Sequence, residues 1–517
     1  MSAGSLCAVP DQIPTRPGHP PVTSLTAVLD TLGGRLLEVR GDASPVHVTG
    51  LTISSQRVRP GDLYAAPAGA RAHGAAFAAQ AVESGAVAVL TDPAGAAMCV
   101  SLDVPVLVVD RPRTVLGALA AQIYGHPAAR LRLLAVTGTQ GKTTTTRLAE
   151  GALTTSDVPA AVVGTVGTRV NGVEVTSSLT TPEAPDLHAL FAVMVERGVE
   201  ACAMEVSSHA LVMGRVDGVV FDVACFTNLG RDHLDFHADE EEYFAAKASL
   251  FTPARARLGV VNVDDEHGRR LVAEAPVPVR TYSVGGMDAD WRATDVNLQP
   301  GGSTFTVHTP GGASFPAAVP LTGGFNVSNA LCAIAALAEL GYDTRTVAAG
   351  LAASGGVPGR LERVDAGQHF LAVVDYAHKP DAVQAALAAL RPHTVGRLLV
   401  VIGAGGDRDP GKRRLMGEIA ARLADMVVVT DDNPRSEDPA GIRAALLAGA
   451  REVAEVGRAE LHEREDRREA IRLAVSLAGP GDVLVVAGKG HEKGQEIHGT
   501  VHPFDDREIL REELQTR

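Results

Sequence analysis

Short apolar runs recur along the chain, each ending in small or polar residues: "VAVLTD" at 87–92, "LLAVTGT" at 133–139, "ACAMEVSS" at 201–208, "VACFTNLG" at 223–230, "LLVVIGAGG" at 398–406, "MVVVTDDNP" at 426–434 and "VLVVAGKG" at 483–490. Helical patterns lie between them. A nearly continuous apolar run suits a strand buried on both faces, and its alternation with helices predicts parallel α/β sheets. Gly, Ser, Asp and Asn at the strand ends are the chemistry of carboxyl-end loops, where open α/β sheets bind ligands. A β-rich interlude is expected over about 280–320, with turns at the glycine pairs starting at 301 and 311. "EEYFAAKASLF" at 241–251 reads as an Ala-rich helix, and no tandem repeat is visible. Boundaries are expected at "GHPAARLR" (125–132) and "GGVPGRLE" (355–362). They divide the chain into a leader over 1–22 and three α/β domains over 23–130, 131–357 and 358–517.

Composition narrows the class. Apolar residues make up 45% and charged residues 21%, values of a soluble globular protein. The net charge of −14 argues against a nucleic-acid partner. No apolar run reaches the length of a membrane span. Five scattered cysteines without a CxxC pair fit a reducing cytoplasm and offer no zinc site. The first 22 residues hold five prolines and no apolar core, so a disordered leader is expected rather than a signal peptide. The chain has 41 arginines and only six lysines, and Lys142, Lys247, Lys379, Lys412, Lys489 and Lys493 fall in or beside the motif stretches treated below. A lysine kept where arginine is the rule points to a need for a primary amine.

"LLAVTGTQGKTTTTRLAEGAL" reads as strand, tight loop and helix. Gly138 and Gly141 let the backbone close around phosphate, and the amides of Thr139, Gln140 and the helix start face the anion. Lys142 would reach the outer phosphates, the Thr143 hydroxyl would bind magnesium, and Thr144 follows. Val136 replaces the first glycine of the longer Walker pattern, so the match is to the shorter GTxGKTT form. The loop predicts an ATP or GTP site without choosing among kinase, motor, switch and ligase. Glu205 and Ser207 in "MEVSSHAL", His233 with Asp232 and Asp235 in "NLGRDHLDFH", and Lys247 together form a candidate cation site at the sheet's carboxyl edge.

The series "TGTQGKTT", "LTTP", "AMEVSSHAL", "TNLGRDHLDFH", "YFAAKASLF", "GGFNVSNALCA", "GRLE", "DYAHKPD", "GGDRDPGKR", "DDNPRSEDP" and "AGKGHE" resembles the ordered motifs of the Mur ligases, over nearly the whole chain after the leader. The resemblance implies a uridine-binding α/β domain, a central P-loop domain with a small β-rich part, and a C-terminal Rossmann-like domain. It implies an ATP-dependent amide ligase acting on UDP-MurNAc-L-Ala-D-Glu, whose carboxylate is activated as an acyl phosphate and then attacked by an incoming amine. In the family the lysine matching Lys247 is carbamoylated by CO2, which turns a cation into an acidic oxygen ligand suited to Mg2+. Thr143, Glu205 and His233 match the other metal positions, and Lys142, Lys247, His233 and Glu205 the catalytic set.

Carried over residue by residue, the resemblance places Asn329 near adenine and Arg360, Asp375 and His378 near ribose and phosphates. Thr180, Thr181, Ser207, Met213 and Arg215 match positions holding the muramoyl dipeptide. Ile53, Ser55, Ala70, Arg71 and Ala72 match uridine contacts. Gln140, Met213, Ser54 and His73 depart from the residues usual there: asparagine, glutamine, aspartate and aspartate. "DDNPR" (Asp432, Asn433, Pro434, Arg435) resembles the form that accepts diaminopimelate. Arg435 and Arg408 would bind the distal carboxylate and Glu492 the ammonium, with Asn433 and the Gly488 backbone completing the pocket. Lysine lacks that carboxylate and would leave a guanidinium unpaired. The meso isomer is expected. LL-diaminopimelate or L-lysine as the amine, a folylpolyglutamate synthase and a non-catalytic nucleotide switch are the alternatives. A monomer without membrane or nucleic-acid partners is expected.

Overall fold

The computed structural model describes residues 13–69, 71–175, 179–230, 232–233, 236–454 and 459–517. It divides into two compact units, one of residues 1–292 with 331–351, the other of 293–330 with 352–517. All seven apolar runs form strands, and the Ala-rich stretch forms the helix Glu240–Ala248.

In the first unit a five-stranded sheet runs in the order Leu36–Arg40, Val106–Val109, Ala88–Thr91, Asp62–Ala66, Gly50–Thr52, parallel except for its first pair. Leu51, Leu63, Leu90 and Leu107 from these strands pack with Ala184, Ala189 and Ala192 of the helix Ala184–Glu196, which thereby joins this sheet to the next. In the second sheet six successive strands, Ala160–Val163, Ala201–Glu205, Arg132–Thr137, Phe221–Phe226, Ala256–Asn262 and Val279–Ser283, are all parallel, and Thr168–Val170 and Val173–Val175 extend it antiparallel beyond Ala160–Val163. Its strands are apolar on both faces because helices cover both. The described cysteines Cys99, Cys202, Cys225 and Cys332 are buried free thiols.

The expected leader is corrected from Ile13 onward. Ile13 is buried in the core of the second sheet beside Leu131 and Leu133. Arg16 pairs with Asp62 at 2.7 and 2.9 Å, both buried, and the amides of Gly18 and His19 donate to Glu196. A proline-rich composition prevents helix and ladder pairing without preventing burial, and here the segment lies across both sheets as a strap. Residues 1–12 lie outside the described residues.

In the second unit the strands run Glu362–Arg363, Leu371–Asp375, Val483–Ala487, Leu398–Ile402, Met426–Val429, Glu460–Glu463, parallel after an antiparallel first pair. Val483–Ala487, the last of the six in the chain, is inserted between the second and third, so the loops after Asp375, Ile402, Val429 and Ala487 emerge along one edge. The expected β-rich interlude is present in the strand Trp291–Gln299, where the unit boundary falls, and in the hairpin Gly302–His308 with Ser314–Val319.

No helix among the described residues is long and apolar enough to cross a membrane.

Candidate active site

The strand Arg132–Thr137 ends in the loop 138–141, and the helix Lys142–Thr155 follows. Gly138 has φ 146°, and a side chain there would collide with the Thr227 hydroxyl, so only glycine fits. The loop is held from outside: Thr139 N donates to Asn228 O and Gln140 N to Asn228 Oδ1, both at 2.9 Å, while Thr227 Oγ1 donates to Gln140 O. The departure at Gln140 therefore leaves the loop's shape intact, because its main chain makes these bonds. Thr139 Oγ1 accepts from Gly230 N and lies 3.1 Å from the Tyr243 hydroxyl. Lys142 Nζ donates to Gly138 O at 2.7 Å and Thr139 O at 3.0 Å. Lys247, 1% exposed, reaches the same Gly138 O at 2.9 Å and sits over the Tyr243 ring. Thr143 and Thr144 are buried at the helix start.

Glu205 ends the neighbouring strand, opposite Val136. Its buried carboxylate accepts from Thr165 N at 2.8 Å and Thr165 Oγ1 at 3.1 Å, and Thr165 Oγ1 meets Thr180 Oγ1. Thr181 Oγ1 donates to the Glu205 carbonyl. Arg215 is fixed by Glu183 and Thr181 O and donates weakly to the Met213 sulfur. Ser207 caps the helix Ser208–Val212. His233 has a left-handed backbone (φ 53°), pairs with Asp232 at 3.2 Å and meets the His209 ring edge-on. Among the described residues no three His, Cys, Asp or Glu side chains converge as a metal site. Asp235 lies outside them. The implied magnesium site draws on only two such residues, with Thr143 and a modified Lys247 as the rest, and these fit a hard cation because all but His233 would offer oxygen.

At the first sheet's edge Ile53 is half-buried and Ser55 starts a short turn. Arg71 and Ala72 are exposed at the tip of a hairpin closed by Ala68 and His73, while Ala70 lies outside the described residues. His73 does an aspartate's work: Nδ1 accepts from Ala75 N at 3.0 Å and Nε2–H faces Asp92 at 3.0 Å. Ser54 precedes the short turn that Ser55 begins, and its amide donates to Thr52 Oγ1.

In the second unit Asn329 donates to Asn326 on the same helix face. Asp375 accepts from the amides of Leu361 and Ala377, and burial pushes its carboxyl up against the opposing pull of Arg360. Arg360 stacks over Tyr376. His378 Nδ1–H donates to Tyr376 O, and burial, with Lys379 nearby, pushes its imidazole down to about 4, so Nε2 is an acceptor at neutral pH. Burial and Lys379 also push Lys412 down.

Most of the residues expected to take the amino acid lie in the loops along the sheet edge and are linked by hydrogen bonds. Asn433 Nδ2 donates to Glu492 Oε2 at 2.9 Å, and Tyr376 OH lies 3.4 Å from Oε1. Arg435 (φ 53°) donates from Nη1 to Gly406 O at 2.7 Å and pairs with Glu496 at 3.3 Å. Pro434 closes the turn, its carbonyl accepting from Glu437 N. Gly488 N donates to Asp375 O, and a side chain at Gly488 (φ 122°) would meet Asp432 Oδ2. Arg408 is exposed and stands outside this hydrogen-bonded set. Sequence reasoning missed Thr165, Tyr243, Tyr376 and Glu496 and noted Lys489 only as a motif lysine. Thr165 could have been found, since it ends the apolar run "AAVVGT".

A glycine loop between parallel strand and helix, with two lysines on its first carbonyl, defines an α/β protein that binds nucleotide phosphates. The chain belongs to the Mur ligase family: family models match at 47–124 ("Mur ligase family, catalytic domain"), 136–337 ("Mur ligase middle domain") and 359–490 ("Mur ligase, glutamate ligase domain"). It is 57% identical to proteins of Streptomyces avermitilis and Streptomyces coelicolor, each named UDP-N-acetylmuramoyl-L-alanyl-D-glutamate–2,6-diaminopimelate ligase, over 97% of this chain and 98% of theirs. A solved structure titled with the same enzyme name superposes with TM-score 0.67 at 32% identity, covering 93% of this chain and 97% of that one.

Proposed function

We propose that the chain joins diaminopimelate, in its meso form, to the D-glutamyl carboxylate of UDP-MurNAc-L-Ala-D-Glu, with ATP as the energy source, in peptidoglycan precursor synthesis. The observation that carries this is the pocket of Asn433, Arg435 and Glu492, which offers donors for a carboxylate beside an acceptor for an ammonium. Near-complete coverage of relatives so named supports the same reading against a folylpolyglutamate synthase. ATP bound at residues 138–144 supplies the phosphoryl group that makes the carboxylate an acyl phosphate; Thr143, Glu205, His233 and carbamoylated Lys247 would hold Mg2+, which would supply charge neutralisation for the phosphates. Lys142 binds the outer phosphates, and Asn329, Arg360, Asp375 and His378 serve the nucleotide. Ile53, Ser55, Arg71 and Ala72 hold the uridine part; Thr180, Thr181, Ser207 and Arg215 hold the dipeptide. The enzyme acts as a cytoplasmic monomer.

The test is phosphate release by purified protein with ATP, Mg2+ and UDP-MurNAc-L-Ala-D-Glu, supplying meso-diaminopimelate, LL-diaminopimelate or L-lysine in turn. Release that depends on the meso isomer is expected. No stimulation by any amine overturns the ligase reading, and a preference for lysine overturns the role of Arg435.

A further inference from the structure

Lys489 is fully buried and lies on the loop after Val483–Ala487. Its Nζ donates to Asn433 Oδ1 at 2.8 Å and to Glu492 Oε2 at 3.2 Å, and stands 3.8 Å from Asp432 Oδ1. The backbone amide of Glu496 also donates to Asn433 Oδ1, at 3.0 Å. An ammonium and a peptide N–H only donate, so the Asn433 atom facing both must be the oxygen, and its two lone pairs are used. The Asn433 nitrogen then gives one hydrogen to Glu492 Oε2 and keeps one N–H for a ligand. From this we infer that Lys489 is a positioning residue that sets the hydrogen-bond polarity of Asn433, making it a donor that reads a carboxylate on the incoming amino acid.

This rests on the proposed ligase reading and deepens it. The Asn433 N–H supplies a donor edge, with Arg435, held by Gly406 O and Glu496, two residues further along the chain. Lys489 also occupies Glu492 Oε2, which leaves Oε1, beside the Tyr376 hydroxyl, as the acceptor for an ammonium. A carbon bearing both carboxylate and ammonium satisfies the two edges together, and an amine lacking the carboxylate leaves the donors unpaired. Without Lys489 the orientation of Asn433 rests on the Glu496 amide and Glu492 Oε2 alone, and loss of the charged donor lowers the cost of the half turn that presents oxygen to the ligand, which repels a carboxylate. Lysine suits the position because it delivers several donors from one point, where a planar guanidinium needs more room.

The experiment measures kcat and KM for meso-diaminopimelate and for L-lysine in wild type, Lys489→Met, Lys489→Gln and Asn433→Asp, with thermal unfolding of each. Lys489→Met is expected to raise KM for diaminopimelate by about tenfold, with kcat changing far less and the preference over lysine narrowing by a similar factor. Lys489→Gln, which keeps a donor toward Asn433 Oδ1, is expected to recover part of that loss. Asn433→Asp keeps the shape, places oxygen on the ligand side, and is expected to weaken diaminopimelate selectively. If Lys489→Met does not fold, Lys489→Gln and Asn433→Asp decide. Equal losses for both amines, losses confined to kcat, or unchanged selectivity in Asn433→Asp overturn the inference. Wild-type protein inactive with every amine would instead overturn the ligase reading.

Discussion

Lys142 and Lys247 converge on one acceptor, their ammonium groups lying 2.7 and 2.9 Å from the carbonyl oxygen of Gly138. The first opens the helix after the phosphate loop; the second comes from the helix Glu240–Ala248, far along the chain. Two like charges on one carbonyl repel each other. A phosphate drawn to Lys142, or conversion of Lys247 to an anion, relieves that repulsion.

Lys247→Arg is therefore expected to keep the fold and lose ligase activity by at least about 100-fold, since a guanidinium forms no carbamate. Lys247→Ala is expected to regain part of its activity with added formate or acetate. Phosphate-release rates with matched thermal melts check both, and full activity in Lys247→Arg would make the lysine an ordinary helix residue.

Arg435→Lys is expected to raise KM for meso-diaminopimelate by about tenfold, because a point charge replaces a planar fork. Its kcat/KM for L-lysine should stay near wild type, as that substrate has no distal carboxylate. Steady-state kinetics with the two amines separates these outcomes; equal losses for both would assign Arg435 to the loop's shape, through its bond to Gly406 O.

The strap over Ile13–Val22 should be measurable as stability. Arg16 and Asp62 form a buried bidentate pair, and removing one partner strands the other charge, at a cost of about 3–5 kcal/mol. Arg16→Met should accordingly lower the urea midpoint strongly, while Arg16→Met with Asp62→Leu should recover much of the loss. A single substitution without effect would mean that the strap is not bound in solution.

His188 should make stability depend on pH. It is fully buried, Nε2 lies 3.1 Å from Asp217 O, and burial pushes its imidazole down to about 4. The unfolded chain takes up a proton below about pH 6.5 while the folded chain does not until about 4, so stability is full above 6.5 and falls as pH drops toward 4. At pH 5 the loss should be about 2 kcal/mol relative to pH 7. Urea titrations at both pH values, compared with His188→Gln, check it: the difference between the two proteins' slopes is the contribution of this residue.

Much of the site was legible because local chemistry marks it. Gly138 and Lys142 stand at a strand-to-helix transition, Glu205 and Asp375 end apolar runs, and the Asp432–Arg435 turn follows "MVVV". The residues that escaped lack such marks. Tyr243 belongs to the helix Glu240–Ala248, and only the packing of that helix beside the loop brings its hydroxyl to Thr139. Glu496 lies in a polar hairpin with no apolar period, and its partner Arg435 is distant in sequence. Arg408 shows the converse: its motif is conspicuous, and its side chain is exposed, outside the hydrogen bonds that join Asn433 and Glu492.

By itself the sequence determined the parallel α/β class, the phosphate loop and the residue types available for chemistry, because burial on both faces and tight turns constrain neighbours a few positions apart. Only the tertiary structure decided which atoms meet. The polarity of Asn433 depends on Lys489 and Glu496, contributed by a loop and a hairpin much further along the chain, and the burial of Arg16 depends on Asp62 across the first unit. Hydrogen bonds and desolvation act through space, so the direction in which a side chain donates is set by whichever partners the packed sheet edge brings within about 3 Å.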